Sequence, residues 1–180
     1  MPEYDSNAEQ DGQYLVAFVE SAGEVSPVFE RKVRRIFETH VGGLDAESWY
    51  DTDDCVEAYR EVLDEIGDKT MEQAGIQVGK SVPWPEEVET VHDGLSTVNT
   101  MHKAAFRNSP EEFPAGRYVF EDICDRRARV GITAGYPYTA PFAKGVFTGI
   151  AQDLGRDVAG VTVEEADRKH GEKAAWIMEW

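Results

Sequence analysis

Among the chain's four histidines, His102 has the surroundings most suited to chemistry. On a helical wheel it falls in the middle of an apolar arc made by Val91, Leu95, Val98 and Ala105, with His92 and Asn99 at the edges. A neutral imidazole facing a hydrophobic cavity could ligate a haem iron or hydrogen-bond a ligand's polar head. The plainer reading is a core histidine bonded to a backbone carbonyl, which a single histidine without a partner motif favours. His92 and His102 are ten residues apart, so they cannot form a compact two-histidine site on one helix, and no metal site is expected.

Aromatic residues are the second candidate set. Trp84, Phe106, Phe113, Tyr118, Phe120, Tyr136, Tyr138 and Phe142 crowd the junction of a long helix, a hairpin and a final helix. Such linings suit an apolar ligand pocket, and they suit an ordinary core equally well. Other chemistries find less support. Cys55 and Cys124 lie far apart with no C-x-x-C pair, so a cysteine zinc site is not expected and two free buried thiols are. Gly145-Val146-Phe147-Thr148-Gly149 lacks the dinucleotide spacing and is read as close packing of a helix on a sheet. The chain has neither a Walker A sequence nor a G-x-S-x-G elbow, so no catalytic residue is assigned.

These residues need elements to hold them. Residues 1–12 are acidic and poor in hydrophobes and read as a flexible tail, leaving 13–180 as a single domain. Tyr14 to Val19 fits a strand or the first turns of a helix. Ser26 and Pro27 are a cap and first residue for a helix with stripe Phe29, Val33, Ile36, Phe37 and His40, closed by Gly42-Gly43. Asp51-Thr52-Asp53 caps another, with Val56, Tyr59, Val62, Leu63 and Ile66 on one face and Gly67 as its stop. A shorter helix covers Lys69 to Ala74, after which Gly75 and Gly79 break the chain. The Val82-Pro83-Trp84-Pro85 segment opens a long helix running to about Arg107, and Pro110 and Pro114 bound the loop after it.

The pattern then changes. Arg117–Ile123 and Arg127–Thr133 read as a hairpin turning near Asp125-Arg126, followed by a helix from Pro141 to Leu154. A second hairpin joins 161–165 to 174–180. The fold class is therefore α+β: a helical N-terminal half, then an antiparallel sheet in strand-strand-helix-strand-strand order.

Composition bounds the environment. With 35 Asp+Glu against 18 Lys+Arg, the net charge is −17 over 180 residues. Self-repulsion of that size is best tolerated where salt shortens the Debye length to about 3 Å, which points to a halophile's salt-rich cytoplasm. An acidic surface argues against nucleic acid as a partner. The cluster Arg31-Lys32-Val33-Arg34-Arg35 is read as a solvated face neutralised by nearby acids. No secretory leader and no membrane-spanning run is recognised, so the expected location is cytoplasmic.

Several pieces in order resemble a known family. Trp49-Tyr50 leads into a helix ending at Gly67, followed by Met71 to Gly79, then Val98-Asn99-Thr100-Met101-His102-Lys103 and a hairpin. Gly135-Tyr136-Pro137-Tyr138, Phe142 and Gly145 precede the last helix, and the chain closes on Trp176-Ile177-Met178-Glu179-Trp180. This order resembles the 4-vinyl-reductase-like and haem-NO-binding-like sensory domains, a superfamily related in fold to the palmitoyl-binding TRAPP subunits. Related sequences often carry cysteines beside the last turn. Here Ala166-Asp167 and Ala174-Ala175 stand in that region, so a metal or redox role for those cysteines is not expected. The resemblance implies a buried apolar pocket that senses a small ligand, with the cofactor unknown and haem possible.

The expected function is thus a non-enzymatic, cytoplasmic, small-ligand-binding or sensory domain. Its site would be His102, Phe106, Tyr118, Phe120, Tyr136, Tyr138, Phe142 and Trp84. The alternative is a protein–protein interaction module with a filled core and no ligand. A homodimer is possible under either reading.

Overall fold

Backbone polar groups dictate the first surprise of the structure. In a computed structural model describing residues 7–108, 115–155 and 160–180, residues Glu9–Asp11 form a strand (β1). This strand is the centre of a small antiparallel sheet. Its neighbours are β2 (Trp49–Asp51) and β3 (Phe106–Arg107), with Gln10 opposite both Tyr50 and Phe106. The expected flexible tail is therefore corrected over residues 9–12: Gln10 is fully buried, and Gly12 opens a helix. Residues 1–6 lie outside the described residues.

The helical half follows. The ambiguous Tyr14–Val19 run belongs to helix α1 (Gly12–Val25), which Asp11 caps through Gln13 N. Ser26 ends α1 and caps α2 (Pro27–Val41), and Asp51 caps α3 (Thr52–Ile66). Helix α4 (Asp68–Lys80) corrects the short helix expected over 69–74, because it runs straight through Gly75 and Gly79. Helix α5 (Val91–Ala104) begins later and ends earlier than expected. Thr90 and Asp93 form a reciprocal capping box at its start, and the Trp84–Glu89 stretch precedes it as turn and coil. The basic cluster on α2 is partly neutralised, by Lys32–Glu65 at 2.6 Å and Arg34–Glu30 at 3.2 Å.

The second half matches the expected order of strand, strand, helix, strand, strand. Strands β4 (Tyr118–Cys124) and β5 (Arg127–Thr133) pair antiparallel, with a bulge at Ile123. Helix α6 (Ala140–Leu154) crosses to β6 (Thr162–Glu165) and β7 (Glu172–Glu179). The sheet order is β4-β5-β7-β6, antiparallel throughout. The fold class is α+β, as expected. Its second, three-stranded sheet was not foreseen.

Packing around α6 differs from expectation. Gly145 and Gly149 seat α6 against α4, not against the sheet. A Cβ on Gly145 would lie 2.1 Å from Glu72 O, and one on Gly79 would lie 2.4 Å from Val146 O. Two G-x-x-x-G stretches, Gly75–Gly79 and Gly145–Gly149, thus let two backbones touch. Glycine here removes a side chain rather than ending a helix, which is why α4 continues. The opposite side of α6 meets the sheet through Phe147, 5.3 Å from Tyr118 and 6.1 Å from Trp176.

The sheet's other face carries a paired guanidinium. Arg129 donates to both carboxylate oxygens of Glu172, at 2.7 and 2.6 Å, and to Asp167 O. That partnership raises the Arg129 pKa and lowers that of Glu172. Cys55 is buried but Cys124 is exposed, which corrects the expectation of two buried thiols. Among the described residues no helix is long and apolar enough to cross a membrane, and no group of three or more His, Cys, Asp or Glu could hold a metal ion.

Candidate functional site

Helices α1 and α5 do not close on each other as α4 and α6 do. Between them, floored by α6 and flanked by the end of α4, lies a cavity of about 360 Å³. That falls within the range of about 300–1,000 Å³ typical of small-molecule sites. Phe18 and Ser21 come from α1, Gln77 and Val78 from α4, Val98 and Met101 from α5, and Phe142 and Val146 from α6. The mouth is marked by exposed Ala17, Glu20, Glu24 and Ser81.

His102 lines this cavity, near the end of α5. Its Nε2 lies 3.0 Å from Ala115 O. A carbonyl oxygen only accepts, so the neutral ring carries its proton on Nε2. Burial pushes the imidazole pKa down to about 4, against backbone hydrogen bonds at Ala115 and Gly116 that pull upward. The ring is therefore neutral near pH 7. Tyr136 stacks on it at 5.3 Å, and the Phe106, Tyr118 and Tyr138 rings meet it edge-on at 5.1 to 6.0 Å. The core-histidine expectation of a backbone-bonded imidazole holds, yet the ring also borders open space.

Backbone clamps fix this wall. Asn99 grips the Tyr118 peptide from α5, with Nδ2 donating to Tyr118 O and Oδ1 accepting from Tyr118 N, both at 2.7 Å. Gly116 takes φ 62 and packs so closely that a Cβ would sit 2.5 Å from Tyr136 N. Lys173 Nζ donates to the carbonyls of Tyr136 and Tyr138 from the facing strand β7. Together these set the Tyr136-Pro137-Tyr138 link against the end of α5.

A chain of polar groups lies behind the rings. Tyr136 OH donates to Tyr118 OH at 2.5 Å. Gln10 Nε2 donates to Tyr138 OH at 2.7 Å and to Tyr59 OH at 3.0 Å, while Gln10 Oε1 is buried without a partner. Burial raises the pKa values of Tyr59, Tyr118, Tyr136 and Tyr138, so all four stay protonated.

The expected site residues divide. His102, Tyr118, Tyr138 and Phe142 line the cavity. Tyr136 and Phe106 back His102 from behind. Phe120, on β4 opposite Val130, packs 5.9 Å from the His92 ring. Trp84 sits near Gly94 and donates to Asp153 at 3.1 Å. These four are therefore corrected as wall residues: none of them lines the cavity, because the α5–sheet contact is filled and the opening lies on the α1 side. Phe113 lies outside the described residues. The residues missed include those of α1, whose short apolar run fits two periodicities, Gln77 and Val78, which lie beyond the expected end of α4, and Val98, Met101 and Val146, which read only as core.

The chain matches no protein-family model and no curated protein. Its fold is similar to solved haem-NO-binding (H-NOX) domains. An oxygen-binding H-NOX domain related to soluble guanylate cyclases superposes with a TM-score of 0.61 at 12% identity, covering 94% of each chain. A T. tengcongensis H-NOX mutant gives 0.62 at 12% identity, covering 93% of this chain and 94% of that one. An Fe(II) unliganded H-NOX mutant from K. algicida gives 0.61 at 11%, covering 92% and 95%. The haem-NO-binding-like architecture is thus present across nearly the whole chain, at identities that speak for fold alone.

Proposed function

We propose that this chain is a sensory domain that binds a small apolar molecule in the cavity between α1 and α5. The observation that carries this is the cavity itself: about 360 Å³, walled mainly by apolar side chains, with buried polar groups at its inner end. Its similarity in fold to H-NOX domains, one of them an oxygen-binding domain solved as its oxygen complex, supports a sensing role.

Haem does not fit the residues as they are placed. The histidine on the cavity wall commits its Nε2–H to Ala115 O, so the usual iron-binding lone pair is not presented. A haem also carries two carboxylates. No Lys or Arg lines the cavity among the described residues, whereas Glu20 and Glu24 do. The ligand is better sought among molecules without iron.

Native mass spectrometry of freshly purified protein tests the proposal. A co-purifying apolar adduct is expected, released on denaturation and lost in Ala17→Trp, which places a bulky ring at the mouth. A colourless protein with no adduct, unable to take up any apolar probe, would return the account to an interaction module. A Soret band would overturn the argument against haem.

A further inference from the structure

We propose that the outer face of the α1–α2 hairpin is a two-fold interface on which a second copy of this chain docks. The layout follows from how the two helices meet. They run antiparallel: a Cβ on Gly23 would lie 3.5 Å from Glu30 Cβ, and the Phe18 and Phe37 rings are 5.7 Å apart. These contacts set Glu24 level with Arg31, and Glu20 level with Arg35. At about 100° per residue, Glu20 and Glu24 lie about 60–100° round α1 from Gly23, and Arg31 and Arg35 about 100–140° round α2 from Glu30. Equal turns on antiparallel helices point to the same side. An acidic row and a basic row therefore run side by side on one outward face, and all four residues are exposed.

Two further features mark this face. Among the described residues Glu20, Glu24 and Arg31 have no ion-pair partner, and Arg35 is felt by Glu65, which Lys32 already holds at 2.6 Å. Of the three large hydrophobic side chains exposed on the described residues, Val25 and Val28 sit at the closed end of this same hairpin. A two-fold axis between the helices and parallel to them lays α1 of each copy over α2 of the other. Glu24 then faces the partner's Arg31 and Glu20 the partner's Arg35, each pair occurring twice. Glu38 falls level with Ala17 and meets no carboxylate, and the valines of both copies gather at one end. A nucleic acid or an anionic membrane would suit the arginines but be repelled by the glutamate row beside them. A second copy satisfies both rows. Because Ala17, Glu20 and Glu24 also mark the cavity mouth, the partner's α2 borders the entrance.

Sedimentation equilibrium of the full chain in molar KCl tests this, since salt screens the general repulsion between copies far more than ion pairs buried at their contact. The unaltered chain is expected to dimerise reversibly. Reversing one row, in Arg31→Glu with Arg35→Glu or in Glu20→Arg with Glu24→Arg, sets like charges against each other and should weaken the dimer at least about tenfold. Mixing the two variants should restore association, because one then presents only cations on this face and the other only anions. A chain that stays monomeric at every concentration overturns the proposal. So does a dimer that tolerates either reversal, or a pair of variants that remains monomeric when mixed.

Discussion

Helix α6 faces two very different neighbours. Toward α4 the contact has no side chains between backbones: Gly75, Gly79, Gly145 and Gly149 interlock, with the Gly79 and Gly149 positions so close that either Cβ would strike the other helix. Toward α1 and α5 the same helix turns Phe142 and Val146 into open space. One flank is packed to the limit that covalent geometry allows, and the other is left unfilled. Interiors normally close-pack, so the open flank is the departure from the rule. The glycine seam seats α4 directly against α6, and that pair carries Gln77, Val78, Phe142 and Val146 as one wall of the cavity.

The largest effect should come from breaking the seam. Gly79→Leu places a side chain where Val146 O already lies 2.4 Å from the Cβ position. The helices must part, at a cost above about 3 kcal/mol, and denaturant melts should show a destabilised or unfolded chain. A fully stable variant would mean the seam can relax and does not anchor the wall.

Next is the buried face of α5. Leu95 is 1% exposed, and Leu95→Ala should cost about 2–5 kcal/mol. Exposed Glu89, just before the helix, should tolerate Ala with little loss. Equal destabilisation by the two substitutions would show that α5 is not anchored by its apolar arc.

The third effect depends on pH. Burial holds the folded pKa of His102 at about 4, below its value of 6.5 in the unfolded chain. The unfolded state therefore takes up a proton that the native state refuses, and stability falls as pH drops from about 6.5 toward 4. The full contribution is about 3 kcal/mol at the acid end. Between pH 7 and 4.5 the unaltered protein should lose more stability than His102→Gln, measured by urea melts at each pH. Parallel losses would place the imidazole in water, on the open side of the comparison.

A smaller and more diffuse effect should come from salt. With a net charge of −17, dilute buffer lengthens screening and strengthens repulsion among surface carboxylates. Exchanging molar KCl for dilute buffer should lower Tm by about 5 °C or more. An unchanged Tm would remove the halophilic expectation. The smallest change in stability belongs to Ala17→Trp at the exposed mouth, where Tm should move within about 1–2 °C while ligand uptake is lost. A large fall in Tm there would mean the mouth is structural.

Local rules made much of this legible. Caps at Ser26 and Asp51, the stop at Gly67 and the apolar stripes of α2 and α3 announced themselves, because each depends on residues a few positions apart. The order of strands around α6 was readable for the same reason. What sequence hid were choices settled by distant partners. Gly75 and Gly79 look like helix breakers until α6 is laid against them. Gln10 looks like tail until two strands bracket it and Tyr59 and Tyr138 accept its amide protons. The site was half legible: His102, Tyr118, Tyr138 and Phe142 follow from an apolar arc and an aromatic cluster. That cluster is not itself the pocket, since aromatic residues fill space as readily as they border it. Which side of His102 stays open is decided by α1, whose residues gave no signal beyond being apolar.

The central claim is that the α1–α5 side is a binding site and not an unfinished core. A crystal structure of the protein soaked with 2-acetonaphthone tests it most directly. The account predicts density for the naphthalene between Phe18, Val98 and Phe142, with His102 still on Ala115 O. It is contradicted by a structure in which α1 has closed onto α5 and side chains alone fill the space.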